Sequence, residues 1–318
     1  MTAAPTLSVR IREIEPLGAS LKRFALEAAH GGELPTPAPG AHILLTLRDG
    51  GRVMKNAYSL VSPAEARDRY EIIVRRVAQS RGGSAFLHQQ AREGDVIDIG
   101  YPVNLFPLQA KARKHLLIGG GIGITPLLSH LHLLKERGLK FEMHQLCAPE
   151  EAGVFEALLA PYGEAGEILV HGTGRARFDL AGILARQPLG THVYTCGPRS
   201  LMEAVASTAA ALGWPPGKIH KESFGETSGG LPFKALLARS GIEVEVGETQ
   251  SLLEAVEAAG IDAPCLCRGG ACGECKVAVL EGEVEHRDDF LSAEEKASQG
   301  AIMLCVSRAR GARLVLDL

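Results

Sequence analysis

No stretch of this 318-residue chain is apolar for long enough to span a bilayer, and its first residues lack the basic-then-apolar pattern of a secretion signal. Charge of one sign is missing as well. Lysine and arginine total 34 against 37 aspartates and glutamates, a formal net charge of -3, so a polyanion such as nucleic acid meets no bulk attraction. Cysteines number seven, an odd count that does not suit a disulfide framework. The eleven histidines contain no H-x3-H pairing that would bind a metal. These absences point to a soluble protein of the cytoplasm, with neither membrane nor nucleic acid as a partner. Hydrophobic residues make up 46% of the chain, and its length allows two or three domains with a core each.

What is present concentrates near the C-terminus. Cys267-Arg-Gly-Gly-Ala-Cys272-Gly-Glu-Cys275 reads C-x4-C-x2-C, and Cys305 follows at a distance. This is plant-type ferredoxin spacing, in which two irons bridged by sulfides take two thiolates each. Gly269, Gly270 and Gly273 let the backbone wrap closely and turn its N–H groups toward sulfur. A four-cysteine zinc site is the competing reading, but such sites usually pair two distant C-x2-C units, and the second unit is missing. Cys147 and Cys265 read as ordinary thiols.

From about residue 115, short apolar strands alternate with amphipathic helices. Leu116-Leu117-Ile118 runs into Gly119-Gly120-Gly121-Ile122-Gly123-Ile124-Thr125-Pro126, with Thr125 expected as the helix N-cap and Pro126 in the first turn. Further strands are expected at 141–147, 167–171, 191–196 and 218–222, and helices at 151–160, 179–186 and 198–212. Five strands joined by helices imply a doubly wound parallel sheet. Gly120, Gly121 and Gly123 form a turn whose N–H groups suit a phosphate, although G-x-G-x-x-G is not matched and a structural turn is the alternative. A second turn, Cys196-Gly197-Pro198, falls at the same end of the sheet, where such folds bind ligands.

The first hundred residues read as a small β-barrel, with strands near 7–14, 21–26, 41–47, 57–61, 70–77 and 96–99 and one helix at Ser84–Gln90. Asn56-Ala57-Tyr58-Ser59 is expected at a strand start and Arg81-Gly82-Gly83-Ser84 at the helix N-terminus. Tyr58 offers a flat face to a planar cofactor, while Ser59, Ser84 and nearby N–H groups offer a phosphate grip. A core tyrosine beside a turn is the other reading.

Barrel, nucleotide-type sheet and [2Fe–2S] module in this order resemble the phthalate dioxygenase reductase family over essentially the whole chain. The motifs are Tyr58-Ser59-Leu60, Arg81-Gly82-Gly83-Ser84, Gly120 to Pro126, Cys196-Gly197-Pro198, Glu222-Ser223-Phe224 and the ferredoxin cysteines. Asn56 to Leu60, Phe86 to Gln90 and Cys265 to Arg268 look most like the branch that serves carnitine oxygenation. The resemblance implies a Greek-key FMN-binding barrel (1–110), an NADH-binding α/β domain (111–225), a linker (226–233) and a β-grasp ferredoxin domain (234–318). It also implies a monomer that feeds a Rieske-type oxygenase. The flavin would be held by Asn56, Tyr58, Ser59, Arg81, Gly82, Gly83 and Ser84. The dinucleotide would lie on Gly120, Gly121, Gly123, Gly197 and Pro198, with Thr125, Cys196 and Phe224 walling the nicotinamide pocket. Cys196 is expected as a packing thiol, not a nucleophile. In one respect the chain departs from the family, which usually has arginine where Asn56 stands; asparagine supplies neither charge nor a bidentate fork. Cys147-Ala148-Pro149-Glu150 offers no arginine to a 2′-phosphate, which favours NADH over NADPH, with Arg175 and Arg177 the residues that weaken this inference.

Three further features complete the reading. His286-Arg287-Asp288 imitates a kinase triplet without the other kinase elements, and is expected at the surface near the cluster. There Arg268, Glu274, Arg287 and Asp288 would help dock a partner. The segment from Gly225 to Gly230 reads as a linker, and Ser251-x-x-Glu254 as the cap of a helix ending at Gly260. The alternatives are a non-enzymatic iron–sulfur carrier or redox sensor, and a reductase that serves a soluble ferredoxin or a diiron oxygenase.

Overall fold

A computed structural model describes residues 5–77, 82–172, 178–224 and 229–318. Arg81, Arg175, Arg177 and the 225–228 part of the expected linker lie outside the described residues. The chain divides into two compact units, Met1–Glu222 and Ser223–Leu318.

The first unit opens with strands β1 (Thr6–Leu17), β2 (Leu21–Ala28), β3 (Ala41–Asp49), β4 (Arg52–Ser59) and β5 (Tyr70–Arg75). Helix α1 (Gly83–Gln89), β6 (Val96–Gly100) and β7 (Val103–Asn104) follow. They pair antiparallel in the order β4-β3-β6-β1-β2-β5, with β7 on β3. A bridge from Leu60 to Ile72 brings the end of β4 back to β5, which closes the sheet into a barrel. Alternating residues such as Ile11, Phe24, Ile43, Leu45 and Ile72 fill it and have no exposed surface. β4 begins earlier than the sequence reading placed it. Gly50 and Gly51 both have positive φ (51° and 86°) and turn β3 into β4 as a two-residue hairpin. Asn56 to Ser59 therefore stand at the end of a strand, not its start.

Five parallel strands follow, β8 (Lys114–Gly120), β9 (Phe141–Leu146), β10 (Glu167–His171), β11 (Thr191–Cys196) and β12 (Ile219–Glu222). They are separated by α2 (Ile124–Glu136), α3 (Ala152–Leu159), α4 (Leu180–Ala185) and α5 (Arg199–Ala211). The order β10-β9-β8-β11-β12 reverses between β8 and β11, which is the switch point of a doubly wound sheet. Covered on both faces, β9 is buried at every residue. Barrel and parallel sheet share a core. Leu21, Val61, Ile73 and Phe106 pack with Leu127 and Leu131 of α2, each such side chain stabilising by roughly 1.5–3 kcal/mol. Gly40 N–H donates to Ser129 Oγ at 2.8 Å across the same junction.

The second unit contains β13 (Phe233–Leu237), β14 (Ile242–Val246), α6 (Leu252–Ala258), β15 (Lys276–Glu281), β16 (Val284–Glu285), α7 (Ala293–Ser298), β17 (Ala301–Met303), β18 (Arg308–Ala309) and β19 (Arg313–Leu316). The sheet order is β14-β13-β19-β15-β17, with β13 and β19 parallel at its centre, and β16 pairs with β18. This is the β-grasp arrangement. Ser251 caps α6 as expected: Glu254 N–H donates to Ser251 Oγ at 3.2 Å, and Ser251 N–H donates to Glu254 Oε2 at 2.9 Å. Gly260, with φ of 79°, ends it.

Candidate functional site

The long loop between α6 and β15 carries Cys267, Cys272 and Cys275, and Cys305 follows β17. Their sulfurs gather in two pairs. Cys275 Sγ lies 3.2 Å from Cys305 Sγ without a disulfide, and the Cys272 thiol hydrogen-bonds Cys267. The Gly269 and Ala271 N–H groups donate to Cys267 Sγ at 3.3 and 3.4 Å. The Cys272 thiol and these amides pull the Cys267 thiol down to about 5 against the effect of burial. Cys275 is lowered by Cys305, and the proton-bearing partners Cys272 and Cys305 are raised. One zinc ion would draw three or four donors to a single point, and among the described residues no such group converges. Two pairs of sulfurs with amide donors, three of the four cysteines buried and Cys272 half-buried, fit a binuclear cluster.

The loop's glycines are fixed by crowding. Gly270 and Gly273 have φ of 76° and 85°. A Cβ on Gly270 would fall 2.7 Å from Val306 Cγ2, and one on Gly273 2.3 Å from the Phe290 ring. Three charges expected to face a partner do not. The Arg268 side chain is only 7% exposed and pairs with Glu257 on α6. Asp288 is buried, accepting from Leu291 N–H at 2.8 Å and from Ser307 Oγ–H at 3.3 Å. Arg287 lies mostly covered against Glu285 at 2.9 Å. Partners on α6, on β16 and after β17 take up these charges, whereas Glu274 is exposed and so is Phe290, at 45%.

In the barrel, cross-strand register decides which residues meet. Tyr58 opposes Ile43, Asn56 opposes Leu45 and Met54 opposes Leu47, all on the core face. Ser59 opposes His42 on the other face. Ser59 Oγ and His42 Nε2 are buried and without a hydrogen-bond partner among the described residues. Burial lowers the His42 imidazole to about 4. Orphaned donors and acceptors of this kind fit a polar cofactor edge. A flavin touching both Tyr58 and Ser59 must lie across the end of β4. A Cβ on Gly83 would press on the Asn56 carboxamide at 2.1 Å and one on Gly82 on Met54 Sδ at 2.4 Å, so a side chain at either place would displace these neighbours. Ser84 is buried and its Oγ accepts from Val77 N–H at 3.4 Å. His42 had no local motif to mark it; only the register reveals it.

At the switch point the glycines do two jobs. Gly121–Gly123 forms a 3-10 turn between β8 and α2, so Gly123, not Thr125, occupies the N-cap position. Thr125 is buried inside the first turn and donates to Ile122 O at 3.0 Å. A Cβ on Gly123 would lie 2.2 Å from Cys196 O, and one on Gly120 2.7 Å from Pro198 Cδ. Gly197, at φ 150°, approaches Gly120 Cα at 2.9 Å from its own virtual Cβ. These glycines let the two turns pack together. Gly121 remains open, met only by the Arg75 guanidinium at 3.5 Å. Arg75 reaches over from β5 and pairs with Glu151 at 2.8 Å, where Ser20 Oγ also donates at 2.8 Å. Burial would raise the Glu151 carboxyl, but Arg75 and Ser20 hold it below the ordinary range. No acid occupies the first turn of α2, so its positive end is uncompensated and suits a pyrophosphate.

Cys196 has no exposed surface, and burial lifts its thiol well above the usual range. Such a neutral thiol packs and does not attack. Phe224 follows β12 in the second compact unit and is 43% exposed.

Comparison with known proteins accords with this geometry. Residues 236–310 match the 2Fe-2S iron-sulfur cluster binding domain, and residues 101–219 the N-terminal domain of dimethylamine monooxygenase subunit DmmA-like proteins. The chain is 45% identical to the carnitine monooxygenase reductase subunit of Escherichia coli (strain K12), covering 98% of each. It is 44% identical to the heme-dependent oxidative N-demethylase beta subunit of Ectopseudomonas mendocina (strain ymp), covering 98% of this chain and 99% of that one. The solved structure of phthalate dioxygenase reductase superposes with a TM-score of 0.84 at 35% identity and 98% coverage of both chains. The protein is an oxidoreductase whose cofactors are FMN and a [2Fe–2S] cluster, with NADH as electron donor and an oxygenase as acceptor. Its sequence, its sheets and its cysteine loop together make this chain a member of the phthalate dioxygenase reductase family.

Proposed function

We propose that this reductase is a cytoplasmic monomer serving a Rieske-type oxygenase that acts on a quaternary amine such as carnitine. The support is the likeness over full length to the carnitine monooxygenase reductase subunit. The expected divisions, 1–110 for flavin, 111–225 for NADH and 234–318 for the cluster, remain part of the proposal.

Bound flavin takes a hydride's two electrons together and releases them singly, which an iron–sulfur centre requires. The chain's own residues supply positions. Asn56, Tyr58, Ser59 and Gly82 to Ser84 hold the flavin at the end of β4, with Arg81 in the same motif. Gly120, Gly121, Gly123, Gly197 and Pro198 shape the dinucleotide bed, and Arg75 supplies charge beside Gly121. Thr125 and Cys196, both at the switch point, would line the nicotinamide side of that bed. Cys267 and Cys272 as one pair, and Cys275 and Cys305 as the other, would hold the two irons of the cluster. The paired sulfurs are the observation that carries this reading.

Electrons leave where the cluster loop meets solvent. Phe290, half exposed and lying on Gly273, gives the oxygenase an apolar anchor, and Glu274 gives it a charge to read. Phe290→Ala should slow oxygenase-coupled turnover about tenfold while dye reduction by NADH stays normal; equal loss of both would place the lesion in flavin chemistry.

A second acceptor, a heme-dependent N-demethylase, is favoured by the relative of that name at 44% identity. Reconstitution decides between the two. The purified reductase, NADH and a Rieske carnitine oxygenase should form product; product only with the heme oxygenase would overturn the Rieske reading.

A further inference from the structure

Arg308 stands three residues beyond Cys305, on β18, and is 3% exposed. Among the described residues its guanidinium has no carboxylate ion-pair partner and is instead solvated by backbone. It donates to Gln250 O at 2.8 Å, Gly247 O at 2.9 Å, Leu231 O at 3.1 Å and Gly230 O at 3.5 Å. The Phe233 ring lies 5.1 Å below it. Two of these carbonyls belong to the segment by which the chain enters the second unit. In that segment Leu231 is 83% exposed, and Gly230 N–H donates to Glu248 O at 3.0 Å. Gly230 is glycine for the same reason, since a Cβ there would lie 2.6 Å from Arg308 Nε and 3.1 Å from Arg287 Nη2.

We propose that Arg308 is a positioning residue for electron transfer, a staple that fixes where the interdomain connection leaves the cluster module. Residues 229–232 read as linker in the sequence, yet Arg308 binds their carbonyls to the module beside a cluster cysteine. The connection that remains is correspondingly short. An intramolecular encounter weakens with roughly the three-halves power of tether length, so freeing 229–232 should lower the flavin-to-cluster encounter about two- to threefold. The staple would thereby set the rate at which an electron passes from the first unit to the second, without touching flavin or cluster. The inference rests on the electron path through FMN and cluster.

The test uses the full-length holoprotein with two changes that attack the staple from opposite sides. Arg308→Lys keeps the charge but loses the fork that reaches several carbonyls. Gly230→Ala leaves Arg308 intact and pushes the segment away. Hydrogen exchange of the Gly230 and Leu231 amides, read by mass spectrometry, should quicken several-fold in both. In anaerobic stopped flow, flavin reduction by NADH should be unchanged and cluster reduction about two- to threefold slower. The cluster's EPR spectrum and midpoint potential should not move. Faster amide exchange with an unchanged flavin-to-cluster rate overturns the proposal and leaves Arg308 a local packing residue. A shifted potential in Gly230→Ala also overturns it, because the effect would then act through the cluster. If wild-type cluster were not reduced by NADH at all, the electron path itself would fail, and amide exchange would still report whether the staple exists.

Discussion

The cluster loop and the switch-point turns are both glycine-rich, yet they show their chemistry to different degrees. In the loop the reactive atoms are the motif: three cysteines fall in one short covalent stretch, and geometry only gathers Cys305 to them. At the switch point the motif's glycines mostly serve packing. Gly120, Gly123 and Gly197 let two turns interpenetrate, and the charge beside the open Gly121 comes from Arg75, some forty-five residues earlier on the barrel. A ligand set that must be chemically specific leaves a signature in sequence; a site assembled from backbone approach and cross-strand register does not.

The largest effect tests the loop. Changing any one of Cys267, Cys272, Cys275 or Cys305 to serine should abolish or destabilise the cluster, read as lost iron, sulfide and visible absorbance. NADH should still reduce the flavin. Zinc in place of iron in protein prepared without oxygen would erase the contrast.

Acid separates the two compact units. Ten of the eleven histidines precede residue 223. Burial lowers His42 and His130 from 6.5 to about 4. Between those values the unfolded chain binds protons that the folded chain does not, so stability is full above pH 6.5 and falls as pH drops toward 4. Each such histidine contributes about 1.4 kcal/mol per pH unit across that window. Differential scanning calorimetry from pH 7 to 4 should show the transition of the first unit falling further than that of the second. Equal shifts would contradict the assignment.

The two glycine roles are separable by adding one methyl. Gly123→Ala should cost about 3 kcal/mol of stability, because the Cβ meets the backbone of Cys196. Gly121→Ala faces open space and costs only its positive φ of 54°, about 1 kcal/mol. Its main effect should be a raised KM for NADH. Urea denaturation paired with NADH titration reads both.

The smallest effect concerns the missing arginine. Asn56→Arg should tighten FMN by about 1 kcal/mol through a charge-assisted contact, followed by flavin fluorescence on dilution. Weaker binding would mean that the Asn56 carboxamide seated over Gly83 matters more than charge.

Most of the architecture was legible because periodicity and punctuation agree: β10 and β11 begin and end where the apolar runs do, and Ser251 and Gly260 bracket α6. Errors arose where tertiary contacts outrank local preference. Thr125 makes a plausible cap by type, but the 3-10 turn before it moved the helix start upstream. The hairpin at Gly50-Gly51 extended β4 and put the flavin motif at its far end. Arg268 and Asp288 look exposed by type, yet each is itself buried against a partner that no spacing rule reveals. Ser20, His42, Arg75 and Arg308 carry no motif at all.

Electrons run from NADH through flavin to the [2Fe–2S] cluster. Anaerobic NADH added to the intact holoprotein, with absorbance and rapid-freeze EPR followed together, reports that order. Flavin should bleach first and the EPR signal of a reduced [2Fe–2S] cluster should rise in a later phase, with that second phase absent in Cys305→Ser. A cluster signal that rises without prior flavin bleaching, or flavin bleaching that never passes to the cluster, would contradict that order.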